Sequence, residues 1–181
     1  MSRIGRLPIP LPKEVAVAIE GNEITIKGPR GELRRPLPPD MTATTQEGKL
    51  LVSRPSDSRQ HRALHGLTRS LLAGMVEGVT HGFQKSLEIV GVGYRAQKDG
   101  DNLVLQLGFT HPVKVPPLPG ISFVLEGTNK VTVAGINKEL VGQVAANLRA
   151  IKPPDHYKGK GIRYAGEHVR LKAGKALSKK T

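Results

Sequence analysis

Apolar residues along the first eighty positions change period once. Val15, Val17 and Ile19 alternate with small or polar neighbours, and after the Gly21-Asn22 turn Ile24 and Ile26 do the same. A period of two predicts a hairpin with one face turned inward. Gly28-Pro-Arg-Gly31 forms a second turn leading into Glu32 to Arg35, and Pro36, Pro38 and Pro39 interrupt the chain before a strand at 41–46, the Glu47-Gly48 turn and a strand at 50–53. The spacing then shifts to three and four: Leu64, Leu67, Leu71, Met75 and Val79 predict a helix that lies on the sheet, capped by Ser56 or Asp57 after Pro55. Its opposite side carries Arg59, Arg62 and Arg69, either a solvated face or a second anion contact.

From Phe83 the same order starts again. Segments 87–90, 94–98 and 103–107 read as strands around the Asp99-Gly100-Asp101 turn; prolines follow at 112, 116, 117 and 119, then strands at 121–125 and 131–134. Asn137 is placed to cap a helix whose stripe is Leu140, Val141, Val144, Leu148 and Ile151, ended by Pro153-Pro154. The offset between matching elements is about 80 residues, which predicts a duplicated α+β unit. The expected fold is therefore two tandem similar domains, each an antiparallel sheet with one packed helix, followed by a basic C-terminal extension. The boundaries expected are 1–82, with an extended basic leader over 1–13, then 83–175 with a basic segment over 152–175, and a tail at 176–181.

Charge changes the picture at the two ends. The chain of 181 residues has 28 Lys and Arg against 15 Asp and Glu, a net charge of +13, and that imbalance calls for an anionic partner. Its 38% hydrophobic residues suffice for a core, which must be aliphatic because there is no Trp and only three Phe and three Tyr. The leader carries Arg3, Arg6 and Lys13 around prolines that hold it extended. The stretch Lys152 to Lys172 sets Lys158, Lys160, Arg163, Arg170 and Lys172 among glycines, with Tyr157 and Tyr164 between them and only Asp155 and Glu167 opposing. Gly159 and Gly161 allow a sharp turn and close approach, the cations suit phosphates, and Tyr157 is placed to stack on a base. Coming after both helices, this stretch reads as an appendage of the second unit, not needed to close its core and so free to bind; Ile162 and 169–171 are the places where it could add short strands. Lys175 continues the charge, and Arg3, Arg6 and Arg69 are secondary contacts.

Catalytic and metal motifs fail on context. Gly91-Val-Gly-Tyr-Arg-Ala96 fits a dinucleotide fingerprint in letters, but Gln97 to Asp101 continue as strand and turn where the pyrophosphate needs a helix N-terminus, so Gly91 and Gly93 mark a bulge or a close backbone approach. His61 and His65 are four apart, yet Arg62 stands where a metalloprotease carries its general base and no third ligand is evident; a surface or groove-lining pair is the expectation. Lys158-Gly-Lys-Gly161 lacks the spacing and hydroxyl of a phosphate-binding loop. A phosphoester-processing enzyme would have to draw its acid and base from Asp155, Glu167 and His168. Membrane-surface binding would require an amphipathic basic helix, which the glycine-rich stretch cannot form. No apolar run of 18 residues occurs, and zero cysteines exclude disulfides and thiolate metal sites. The expectation is a soluble cytosolic protein with no cofactor, no metal and no small-molecule substrate.

Pro154-Asp-His-Tyr-Lys-Gly-Lys-Gly-Ile162 resembles the signature of the bacterial large-subunit ribosomal protein L six family. Ser2-Arg-Ile-Gly-Arg-Leu-Pro-Ile9, Leu64-His-Gly-Leu-Thr-Arg69, Gly91-Val-Gly-Tyr-Arg95 and Val141-Gly-Gln-Val-Ala-Ala-Asn-Leu-Arg149 resemble the same family in order and spacing. The chain departs from it over 116–130, after Ala173, and at His156, where the family often has proline. The resemblance implies two similar α+β domains, cytoplasmic location in the ribosome, and binding to large-subunit ribosomal RNA mostly through the second domain. It also implies a position near the factor-binding region and the sarcin–ricin loop, with neighbouring ribosomal proteins at the stalk base as partners.

Overall fold

The computed structural model describes residues 4–174. Those residues group into two compact units: the first runs through Phe83 and takes in Ile136–Lys138, and the second comprises Gln84–Gly135 and the chain from Glu139 on. Each unit is α+β, as the alternation and its repeat predict.

In the first unit the strands are β1 (Ile9–Pro10), β2 (Ala16–Glu20), β3 (Glu23–Gly28), β4 (Gly31–Pro36), β5 (Thr42–Gln46) and β6 (Lys49–Ser53), followed by helix α1 (Arg59–Thr80). They divide between two sheets, β2-β3-β4 and β1-β6-β5, a partition that alternation alone does not specify. All pairs in both sheets are antiparallel, with Ile26 opposite Val17 on one side and Leu33 on the other. Helix α1 lies across β3, β4 and β6. Ile24, Ile26, Leu50, Leu72 and Val79 are fully buried between helix and sheets, the burial that drives this unit together.

The helix is rotated from the predicted stripe. Its buried residues are His65, Thr68, Leu72, Met75, Val76, Gly78 and Val79, whereas Leu67 is 54% exposed and Leu64 and Leu71 are half-buried. The shift exists because His65 satisfies both ring nitrogens inside: Nε2 lies 2.9 Å from the Val52 carbonyl and Nδ1 2.9 Å from an Arg54 guanidinium nitrogen. A polar residue can therefore hold an apolar position, so the expectation of a surface or groove-lining pair fails for His65. Capping differs too: Ser58 Oγ accepts from the His61 N–H at 3.1 Å, while Asp57 is taken by the Arg54 guanidinium and Ser56 bonds the His61 ring. The paired Arg54 holds the Asp57 carboxyl below its ordinary pKa.

The second unit repeats the first element by element. Strands β7 (Phe83–Val90), β8 (Arg95–Asp99), β9 (Asn102–Gln106), β10 (Val113–Val115), β11 (Ile121–Glu126) and β12 (Lys130–Gly135) precede α2 (Lys138–Ile151). The sheet β10-β9-β8 matches β4-β3-β2, and the order β11-β12-β7 matches β5-β6-β1. Strand β10 was hidden in the sequence by its flanking prolines. Among the described residues one element has no counterpart: β13 (Gly161–Tyr164) adds to the free edge of β7, antiparallel, with Ile162 opposite Ile89 and Arg163 opposite Glu88.

That strand corrects the reading of 152–172 as an appendage outside the core. Ile162 is 1% exposed and shares one interior space with Leu87, Ile89, Leu103, Leu105, Val131 and Leu148. Segment 169–171 adds no strand. We predict that Ile162→Ala lowers the stability of the full chain by about 2–5 kcal/mol in urea titration, the cost of emptying a core position. Tyr157→Ala, at a side chain 61% exposed, should stay within about 0.5 kcal/mol.

Candidate nucleic-acid interface

The basic segment begins where Pro153-Pro154 end α2, and a ladder of backbone bonds then folds it into a fixed loop. Asp155 N donates to the Lys160 carbonyl at 2.9 Å and its carbonyl accepts from Gly159 N at 2.9 Å; Ile162 N donates to the Lys152 carbonyl at 2.7 Å. The outgoing chain returns to clamp it, Lys172 N donating to the His156 carbonyl at 2.7 Å. Gly161 is obligatory here. Its φ is +148°, and a Cβ would stand 2.6 Å from the Pro153 carbonyl oxygen. The glycine thus serves close approach, as expected, but the approach is to the loop's own backbone.

Both carboxylates of the segment are turned to internal work. Asp155 Oδ2 accepts from Lys158 N at 2.9 Å and from Tyr157 N at 3.1 Å, the Asx arrangement that shapes a tight turn. Those bonds, the Lys158 amide first, hold its carboxyl below its ordinary pKa. Glu167 accepts from Arg149 Nε at 2.9 Å and from Tyr164 N at 2.9 Å, and the Arg149 guanidinium is the main reason its pKa is lowered. The reciprocal effect raises Arg149. A general acid or base working near neutral pH needs its pKa moved upward, so Asp155 and Glu167 are set the wrong way for the phosphoester chemistry considered above.

The predicted contacts separate once their partners are seen. Lys158, Arg170 and Lys172 are exposed, and Lys160 is half-buried. Arg163 is different: it lies on β13 and its guanidinium meets Glu88 at 2.9 and 3.1 Å, so its charge is answered within the sheet. Arg69 donates from Nε to the Leu7 carbonyl at 3.1 Å and so ties the leader to α1, leaving Arg6 exposed on that leader. Gly159 is buried against Leu171. Arg3 and Lys175 lie outside the described residues. Lys152, which lies outside the predicted contacts, caps the ring of Phe109 at 4.7 Å. Arg149, Lys152, His156, Lys160, His168 and Arg170 are among the residues lining an open cleft of about 700 Å³ beside the loop. Among the described residues, no group of three or more His, Cys, Asp or Glu could hold a metal. None of their helices is long and apolar enough to cross a membrane.

A family model described as "Ribosomal protein L6" matches residues 11–82 and 90–165. The chain belongs to the ribosomal protein L6 family. It is 59% identical over 176 residues to the large ribosomal subunit protein uL6 of Symbiobacterium thermophilum, covering 97% of this chain and 99% of that protein. Identity to the protein of the same name from Synechococcus elongatus is 55% over 179 residues, 99% and 100% of the two chains. With that from Halalkalibacterium halodurans it is 54% over 175 residues, 97% and 98%. Matches over both segments agree with the two-unit repeat, and the second includes the whole 152–165 portion of the basic loop.

The Arg149–Glu167 pair yields a pH prediction. Because the folded Glu167 pKa is depressed, its contribution to stability is complete above the unfolded value, near 4.5, and fades as pH falls through the lower folded value. Chemical denaturation of wild type and Glu167→Gln should show a difference that is constant from pH 7 to 5 and shrinks at more acid pH.

Proposed function

We propose that the chain is a structural constituent of the large ribosomal subunit and that it binds large-subunit ribosomal RNA through the loop and return segment 152–172. Family membership over nearly the full length supports the first part. The observation that carries the second is the inward commitment of Asp155 and Glu167: the segment's only two carboxylates are bonded to its own backbone and to Arg149, while Lys158, Arg170 and Lys172 face outward. The loop thus presents cations on a frame that is already ordered, and little conformational freedom is lost on binding. Tyr157 supplies an exposed ring beside Lys158 for a base or ribose. Lys175 continues the charge, and Arg3 and Arg6 make secondary contacts from a leader anchored by Arg69.

The protein is a ribosomal scaffold, not an enzyme, and it acts within the ribosome. Its proposed position, near the factor-binding region and sarcin–ricin loop with neighbouring ribosomal proteins at the stalk base, is supported by the family resemblance.

If five cations of the segment (Lys152, Lys158, Lys160, Arg170 and Lys172) meet phosphates, log affinity for ribosomal RNA should fall with log salt at a slope of about −3.5 to −4.5. Replacing Lys158, Lys160 and Arg170 with Ala should reduce that slope to about −1.5. Replacing exposed Lys13, Lys49 and Lys98 removes the same charge and should leave the slope nearly intact. Equal losses would show that diffuse charge, not this loop, binds RNA. Filter binding and sedimentation with large subunits read both outcomes.

Asp155 gives a test of opposite sign. Asp155→Ala makes the protein more basic yet should weaken RNA binding severalfold, because the Tyr157 and Lys158 amides lose their acceptor and the turn loosens. Asp155→Asn keeps an acceptor oxygen and should bind about as well as wild type. Tighter binding by the Ala variant would refute a preorganised loop.

A further inference from the structure

The Gly91-Val-Gly-Tyr motif has no part in the loop just described, yet the fold sets it beside that loop. Strand β13 pairs with β7 so that Gly161 stands opposite Val90, which places the Lys158-Gly-Lys-Gly161 turn across from the start of the Gly91-Val92-Gly93 turn. Gly91 has φ +155° and Gly93 φ +78°, backbone conformations that side chains other than glycine rarely adopt, and between them Val92 is 90% exposed. A surface valine this bare, on so constrained a turn, is not explained by packing.

The turn is braced from below. The Tyr94 amide donates to the Gly91 carbonyl at 3.2 Å, and its ring fills the space where a Cβ of Gly91 would lie, 2.5 Å from Cδ2. The far edge of the same ring meets Gly108, where a Cβ would lie 3.1 Å from Cε1. Tyr94 therefore locks together two turns, one joining β7 to β8 and the other joining β9 to β10, and the residues next to those glycines, Val92 and Phe109, stand on adjacent turns. Phe109 is 44% exposed, and its ring is met at 4.7 Å by the Lys152 ammonium, which belongs to the basic segment. Two separate links, the Gly161–Val90 register and the Lys152–Phe109 contact, thus make the apolar pair continuous with the cationic loop.

We infer that Val92 and Phe109 form a second arm of the RNA interface, which takes an unpaired nucleotide: the base stacks on Phe109 and the ribose lies against Val92, while Lys152 meets the adjoining phosphate. The chemistry favours an unpaired nucleotide over a duplex. A duplex presents phosphates and ribose edges, which cations satisfy, whereas an exposed ring and an aliphatic side chain gain only from a base face that is free to stack. Phosphate contacts fix position and register, and an arm of this kind would let the protein distinguish a loop or bulge from a continuous helix. This inference rests on the RNA-binding reading above.

The test compares the full chain with Val92→Ser/Phe109→Ser, with Phe109→Tyr, and with Lys158→Ala/Lys160→Ala. The probes are transcribed large-subunit ribosomal RNA and a fully paired blunt RNA duplex, each measured over a range of salt. The double serine variant should bind the ribosomal RNA about tenfold more weakly, within the range expected for loss of one base stack. Its salt slope and its affinity for the duplex should match wild type, and Phe109→Tyr, which keeps an aromatic ring, should bind both probes as wild type does. The double alanine variant should weaken on both probes with a shallower slope. Wild-type affinity of the serine variant for ribosomal RNA would overturn the inference, and if its incorporation into large subunits fell all the same, the pair would belong to a protein contact. Equal losses on ribosomal RNA and duplex, with an altered slope, would also overturn it, since the effect would then be electrostatic. Failure of the wild-type protein to bind ribosomal RNA would instead remove the underlying RNA reading. Circular dichroism and thermal melting of each variant confirm that the fold is retained.

Discussion

Pairing of β13 with β7 is the constraint from which the proposed RNA-binding surface follows. Four residues, Gly161 to Tyr164, carry the chain from a loop of lysines into a sheet, and the buried Ile162 fixes their register. A one-residue slip would turn Ile162 to solvent and bring a charged neighbour into a core of leucine, isoleucine and valine side chains, a change the sheet resists strongly. Register in turn fixes where Lys158 and Lys160 emerge, sets Arg163 against Glu88, and brings the loop beside the Gly91 turn. The proposed binding loop and the fold thus share one strand, which is why a segment so rich in lysine and glycine need not be a mobile tail.

Much of the fold was legible because hydrophobic period survives translation into structure. Ile24 and Ile26 alternate in sequence and are both fully buried, and Val141, Val144 and Leu148 face the core of the second unit as their spacing predicts. The phase of α1 was not legible. Leucines at 64, 67 and 71 outweigh a histidine on any apolar count, but His65 can enter the interior because Val52 and Arg54, on and just beyond β6, meet its ring. Such a partner is remote in sequence, and burial of a polar side chain depends on the partner. The division of each unit's strands between two sheets was hidden for a related reason, since alternation reports which side is inward and not which strand lies alongside.

The candidate site shows the same limit in another form. Clustered cations and their glycines were visible in the sequence, as was the aromatic interleaving. Their partners were not: Arg163 and Lys158 are alike by composition, yet one is answered by Glu88 across a strand pair while the other faces outward. The acids carried the stronger hidden signal. Asp155 and Glu167 count against an anion-binding segment when charges are summed, but each accepts bonds from backbone amides, so each holds cations in place more than it cancels them. An Asp two and three residues before the amides it receives is a local pattern, and it could have been read as a turn-forming residue from sequence alone.

The edge strands of the two units differ in a way that suits the second and not the first to carry the proposed surface. In the first unit the corresponding strand β1 is only two residues long, and the leader around it bears prolines at 8, 10 and 12, which have no amide hydrogen to offer another strand. Its free edge is therefore closed to extension, and the chain leaving α1 passes directly into β7. Strand β7 is eight residues long and contains no proline, so its outer edge presents the donors and acceptors that β13 requires. An unpaired edge of that length invites association with other chains. Covering it from the same polypeptide removes the liability and anchors the basic loop in one step. The length and proline content of this one edge strand thus differ between the two units, and that difference decides which of them can anchor the basic segment in its sheet.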